Sequence, residues 1–164
     1  MQKVKRARLT LEELNAIESE GRKRAFNRDD LPLGDGHFLA MMANASEQIA
    51  WDMEVENPDL YELAFSIANA ARFGIEDASR CESEAIPRKN CEVNYRTKIM
   101  LHNVDDKSER AIGRRCTYLL GQVDFYGLSA FLNDITACFH VALDLYKSTR
   151  DEWVRMGKCV WKVV

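Results

Sequence analysis

The chain has 164 residues, of which 46% are hydrophobic and 30% charged, and its net charge is -3. That length suits one domain with its own core, and the composition is that of a globular protein rather than a disordered or collagen-like chain. A sequence pI near 5.7 argues against a generic nucleic-acid binder.

The totals hide an asymmetry. Residues 1–28 carry a net +4, whereas residues 29–71 hold nine acidic residues and no Lys or Arg, a net of -9. Residues 72–100 and 101–164 each carry +1. One continuous quarter of the chain thus holds the whole negative excess. The basic start, MQKVKRARLT, is followed by LEELNAIESE rather than an apolar stretch, which is not the pattern of a secretory signal. No uninterrupted apolar run approaches the roughly 20 residues of a membrane span, so no membrane contact is expected. The five cysteines (Cys81, Cys91, Cys116, Cys138, Cys159) are odd in number and irregular in spacing. Reduced thiols, no disulfide framework and a cytoplasmic location are the expectation.

In chain order, residues 1–9 read as a flexible basic N-terminus of a single domain spanning 1–164. Thr10 and Glu13 make a capping-box pattern that opens a helix to about Asn27, with Leu11, Leu14 and Ile17 on its apolar side. Arg22, Lys23, Arg24 and Arg28 crowd its C-terminal end, where cations suit the helix dipole. The turn formers of DDLPLGDG at 29–36 precede a second helix, about His37 to Val55. Phe38, Met41, Met42, Ala45, Ile49 and Met53 share one face of it; Glu47, Trp51 and Glu54 point away. Asn57 and Pro58 suit the start of a third helix, with Asp59 and Glu62 in its first turn. Gly74 is read as its stop. IEDASRCESEAI at 75–86 is read as a separate short helix at most.

From Cys91 to Leu101 apolar and polar residues alternate, a strand signal. Its only available partner is the alternating tail 158–164, giving a small two-stranded sheet; the competing reading makes 91–103 a helix. Another helix is expected over 106–123. The stretch Leu128–Lys147 is apolar over most of its circumference, with Leu128, Phe131, Leu132, Ile135, Phe139, Ala142, Leu143 and Tyr146 on one side. Such a helix needs neighbours on several sides. The fold class is therefore mostly α, a helical bundle around 128–147 with the 91–101/158–164 sheet as an appendage.

Chemistry-bearing motifs are few. There is no CxxC pair, HExxH, GxSxG or phosphate loop, so neither a metal, a cofactor nor a catalytic residue is assigned. Cys138 and His140 lie two apart on a helix and diverge. Cys81 is the most exposed thiol expected, but Glu82 and Glu84 beside it disfavour a reactive thiolate. The charge pattern points to an interaction protein. Glu47, Trp51, Glu54, Glu56, Asp59 and Glu62 form the candidate surface for a basic protein partner, with Trp51 as anchor. An inhibitor that occupies the surface a partner uses for nucleic acid is the concrete version. The alternatives are a helical regulator contacting nucleic acid through Lys107, Arg110 and Arg114, and a helical enzyme without a recognisable motif.

Overall fold

The computed structural model describes residues 8–94, Thr97, Leu101 and 127–155. Among them are four α-helices: α1 (Leu11–Phe26), α2 (Asp35–Met53), α3 (Pro58–Ser83) and α4 (Leu128–Arg155), with a short 3-10 turn at Arg88–Asn90. No strand forms among the described residues, and the protein is a mostly α helical bundle.

Each helix starts where its local chemistry permits. The Thr10/Glu13 capping box is present in both directions: the Glu13 amide donates to Thr10 Oγ1 (3.1 Å) and the Thr10 amide to Glu13 Oε1 (3.0 Å). Asn57 caps α3 by accepting the Leu60 amide at 3.2 Å, with Pro58 in the first turn. α2 begins two residues earlier than the sequence suggests. Gly34, at φ 75°, supplies the left-handed entry, and the Asp35 carboxylate sits in the first turn.

α2 and α3 form a helical hairpin joined by the 54–57 turn. α4 lies antiparallel to α1, as the contacts Ser129 to Ala25, His140 to Glu18 and Lys147 to Asn15 establish. The predicted face of α4 is the one that packs: Leu128, Phe131, Leu132, Ile135, Phe139, Ala142, Leu143 and Tyr146 are all buried. By length and composition Leu128–Glu152 could cross a membrane, but 61% of its apolar window is buried against the rest of the protein. α4 also runs on to Arg155, past the expected end at Lys147.

α3 corrects the sequence reading. Gly74 does not stop it; the helix runs 26 residues to Ser83. Gly74 is there for close approach: a Cβ on it would stand 2.6 Å from Phe131 Cε2 of α4. The end of α3 is a Schellman turn, in which the Ile86 amide donates to the Cys81 carbonyl (2.9 Å) and the Ala85 amide to the Glu82 carbonyl (3.3 Å). Ala85 holds the left-handed position, φ 55°, that glycine usually takes.

The strand expected at 91–101 is also corrected. Thr97 and Leu101 are helical, and Glu92 makes only an isolated bridge to Gly127. Val93, Thr97 and Leu101 are all buried, and that spacing of four satisfies a helical face as well as an alternating one. The two periods coincide at these positions, so the alternation did not discriminate. The proposed partner strand, 158–164, and the helix expected at 106–123 lie outside the described residues.

The cysteine expectation is overturned at one pair. Cys81, in the last turn of α3, and Cys91, just past the 3-10 turn, are joined as a disulfide with Cα atoms 5.8 Å apart. Cys81 is not an exposed thiol but fully buried, because the uninterrupted α3 turns it inward. Cys138 carries a buried thiol on α4.

Candidate functional site

The carboxylates of the acidic block are not gathered on one surface. The fold consumes four of its carboxylates. Asp35 is fully buried and grips Arg88 with both oxygens (2.7 and 3.2 Å), while Arg24 reaches it at 2.5 Å. Arg88, itself buried, also donates to the Asn27 carbonyl at 3.0 Å and lies 3.9 Å from Asp30. Asp52 pairs with Arg8 and accepts the Tyr146 hydroxyl at 2.6 Å. Burial opposes the Arg8 charge, but the Asp52 carboxylate outweighs it and holds Arg8 above its ordinary range. Asp29 takes a hydrogen bond from Lys89 at 2.6 Å, and that bond and the ammonium charge hold its carboxyl below the ordinary range.

Four other carboxylates of the block lie at one end of the α2–α3 hairpin. Glu54, Glu56, Asp59 and Glu62 are all exposed around the turn. Glu47 stands further up α2 and pairs with Arg72 of α3 at 2.5 Å. Glu54 and Glu56 lie in the turn itself, and Asp59 and Glu62 in the first two turns of α3. Lys107, Arg110 and Arg114 lie outside the described residues.

Trp51 is 55% exposed and joins two rings of α3. Its centroid is 5.8 Å from Tyr61 and 5.9 Å from Phe65, the latter edge-on at 85°. Tyr61 and Phe65 stack on each other at 5.8 Å, one helical turn apart. Val55, 83% exposed, extends this apolar surface at the turn. The sequence reading singled out Trp51 and missed Tyr61 and Phe65. Their i, i+4 spacing on the side of α3 away from Leu60, Leu63 and Ala64 was the available signal.

The N-terminal segment adds a wall. The Gln48 side chain pairs with Leu9 as a strand would: the Leu9 amide donates to Oε1 (2.8 Å), and Nε2 donates to the Leu9 carbonyl (2.9 Å). Arg8 and Leu9, expected within a flexible N-terminus, are therefore docked on α2. Between this segment, α1 and α2 run two adjoining depressions of about 340 and 350 Å³ that share Leu9, Ile17 and Met41.

No group of three or more His, Cys, Asp or Glu side chains that could hold a metal ion occurs among the described residues. His140 contacts Glu18 (2.7 Å) and Asp144 (3.1 Å), a surface contact tying α1 to α4. No family model, curated protein or solved structure matches the chain.

Proposed function

We propose that this protein is an interaction module that docks a basic protein partner on the carboxylates around the α2–α3 turn, with the Trp51 cluster as its anchor. The observation that carries this reading is the exposed Trp51, packed on the half-buried rings of Tyr61 and Phe65, with the exposed Glu54, Glu56, Asp59 and Glu62 around the same turn. Large exposed aromatics are the usual hot-spot residues of interfaces, and they attract cations through their ring faces. Like charges gathered at one turn cost folding stability through mutual repulsion, but they raise the association rate with an oppositely charged surface. Basic surfaces of this kind belong commonly to proteins that bind nucleic acid. An inhibitor that competes with DNA or RNA for such a surface is the concrete form of the proposal.

The experiment is a pull-down with the wild-type chain and with the Glu54→Lys/Glu56→Lys/Glu62→Lys variant. The reading expects a basic protein to be recovered with the wild type, lost with the variant, and released from the wild type as salt rises. Recovery of the same partners by both chains refutes it.

The disulfide bears on location. Cys81–Cys91 suits an oxidising compartment better than the cytoplasm expected from cysteine spacing.

A further inference from the structure

Two contacts fix the direction in which the chain leaves the N-terminal side of α1. Leu9 is paired to Gln48 of α2 through both of its backbone groups (2.8 and 2.9 Å). One residue earlier, the Arg8 guanidinium donates to Asp52 Oδ1 at 3.0 Å, and the Tyr146 hydroxyl donates to the same carboxylate at 2.6 Å. Stepping back from Leu9 to Arg8 thus moves one turn forward along α2, from Gln48 to Asp52. The segment runs antiparallel to α2, and at Arg8 it heads toward the α2–α3 turn. Arg8, Leu9 and Trp51 line the same depression, so the indole stands beside this path.

Ahead of it lies an apolar face edged with carboxylates. Trp51 and Val55 are 55% and 83% exposed, with the half-buried rings of Tyr61 and Phe65 beside the indole. Glu54 and Asp59 are exposed and make no ion pair among the described residues. Residues 1–7, MQKVKRA, lie outside the described residues; they carry Lys3, Lys5 and Arg6 and no acidic residue. Length fits as well as charge. The turn begins two residues past Asp52, about 3 Å along the helix axis, and an extended chain advances roughly 3.5 Å per residue. A few residues therefore suffice to bring Arg6 and Lys5 level with Glu54 and Asp59.

We infer that residues 1–7 of this chain occupy the Trp51 face in cis, with Lys3, Lys5 and Arg6 on the carboxylates of the turn, and that a basic partner must displace them. A tethered segment competes at an effective concentration in the millimolar range, on the order expected for a short linker, whatever the concentration of the protein. The Arg8–Asp52 pair holds the root of the segment and keeps the tether short. Segment and partner carry the same sign of charge, so they exclude each other from the turn rather than bind it together. This inference rests on the proposed docking of a basic partner and names what covers that surface in the free protein.

The test uses the full chain. A carbodiimide, which joins a lysine amine to a carboxylate in contact with it, is applied at low salt, and proteolytic peptides of the monomer are read by mass spectrometry. Links from Lys3 or Lys5 to Glu54, Glu56, Asp59 or Glu62 are expected, and they should fade as salt rises. Competition is read by isothermal titration with a Lys/Arg-rich peptide on two charge-matched variants. One is Lys3→Gln/Lys5→Gln/Arg6→Gln; the other is Arg22→Gln/Lys23→Gln/Arg28→Gln, at the opposite end of α1. Far-UV circular dichroism verifies that both fold. The first should bind the peptide about ten-fold more tightly than the wild type, and the second should stay within about two-fold of it. Absence of the links, links found only between two chains, or an equal gain in the two variants overturns the inference. If the peptide binds all three chains equally, the docking of a basic partner stands and self-occupancy falls. If it binds none of them, the docking reading fails and the links alone decide whether the segment lies on the turn.

Discussion

Replacing Asp35 with Ala perturbs the most deeply buried charge cluster in the described structure. The Asp35 side chain is 0% exposed and that of Arg88 is 6% exposed. Their bidentate contact is the principal neutralisation of the Arg88 guanidinium, since Asp30 lies 3.9 Å away and is largely in solvent. Arg24 is different: it is 21% exposed and keeps Glu20 at 2.8 Å when Asp35 is gone. The cost of Asp35→Ala therefore falls mainly on Arg88, a buried cation left without its carboxylate. Such truncations cost roughly 3–5 kcal/mol. Loss of a carboxylate from the first turn of α2 adds a smaller dipole term, on the order of 0.5 kcal/mol. Urea unfolding followed by circular dichroism measures the change as a shift in midpoint at constant slope. The decisive control is Asp35→Leu/Arg88→Met. An apolar pair removes both desolvation penalties, so the double variant should be more stable than Asp35→Ala. A cost below about 1 kcal/mol for Asp35→Ala, or a double variant less stable than the single, would refute the reasoning.

Three further outcomes are expected. Ala85→Gly should raise stability by about 0.5–1 kcal/mol in the same urea assay, because glycine relieves the left-handed strain at the end of α3 while costing some unfolded-state entropy; a loss of stability would contradict the Schellman geometry. Gly74→Ala should destabilise by roughly 1–3 kcal/mol despite alanine's better helix propensity, since the new methyl meets Phe131; a stabilised variant would show that Gly74 is not a contact point between α3 and α4. Lys89→Ala should raise the Asp29 pKa, read by NMR titration of the carboxyl carbon. Because the folded-state value of Asp29 is depressed, its small contribution to stability is present above the unfolded value and fades as pH falls through the folded one. An unmoved Asp29 titration would exclude Lys89 as the cause.

The bundle was legible because its strongest signals are local and periodic. α4 announces itself by an apolar surface too wide for solvent, and every residue named on its main face is buried. The capping box of α1 and the Asn57–Pro58 start of α3 involve neighbours within one turn. The misreadings arose where tertiary proximity decided the outcome or where two local periods coincide. Gly74 looks like a stop unless Phe131 is known to lie against it. The alternation from Cys91 cannot be told from a helical face when Val93, Thr97 and Leu101 satisfy both. The pairing of Cys81 with Cys91 needed the continuity of α3 and the turn after it. The candidate surface was half legible: the sequence isolates Glu47, Trp51, Glu54, Glu56, Asp59 and Glu62. It could not tell that Asp35 serves a buried ion pair and Asp52 a part-buried one, because Arg88 and Arg8 are 53 and 44 residues away from them. Nor did it supply the Leu9–Gln48 clamp that docks the N-terminal segment on α2.

The central claim is that an aromatic anchor set in carboxylates holds a basic partner. Isothermal titration of the wild type and of Trp51→Ala with a Lys/Arg-rich peptide, at low and at physiological salt, tests it most directly. The account predicts binding that weakens as salt rises and a further loss of about ten-fold or more on removing the indole. Binding that is unchanged in Trp51→Ala and insensitive to salt would contradict it.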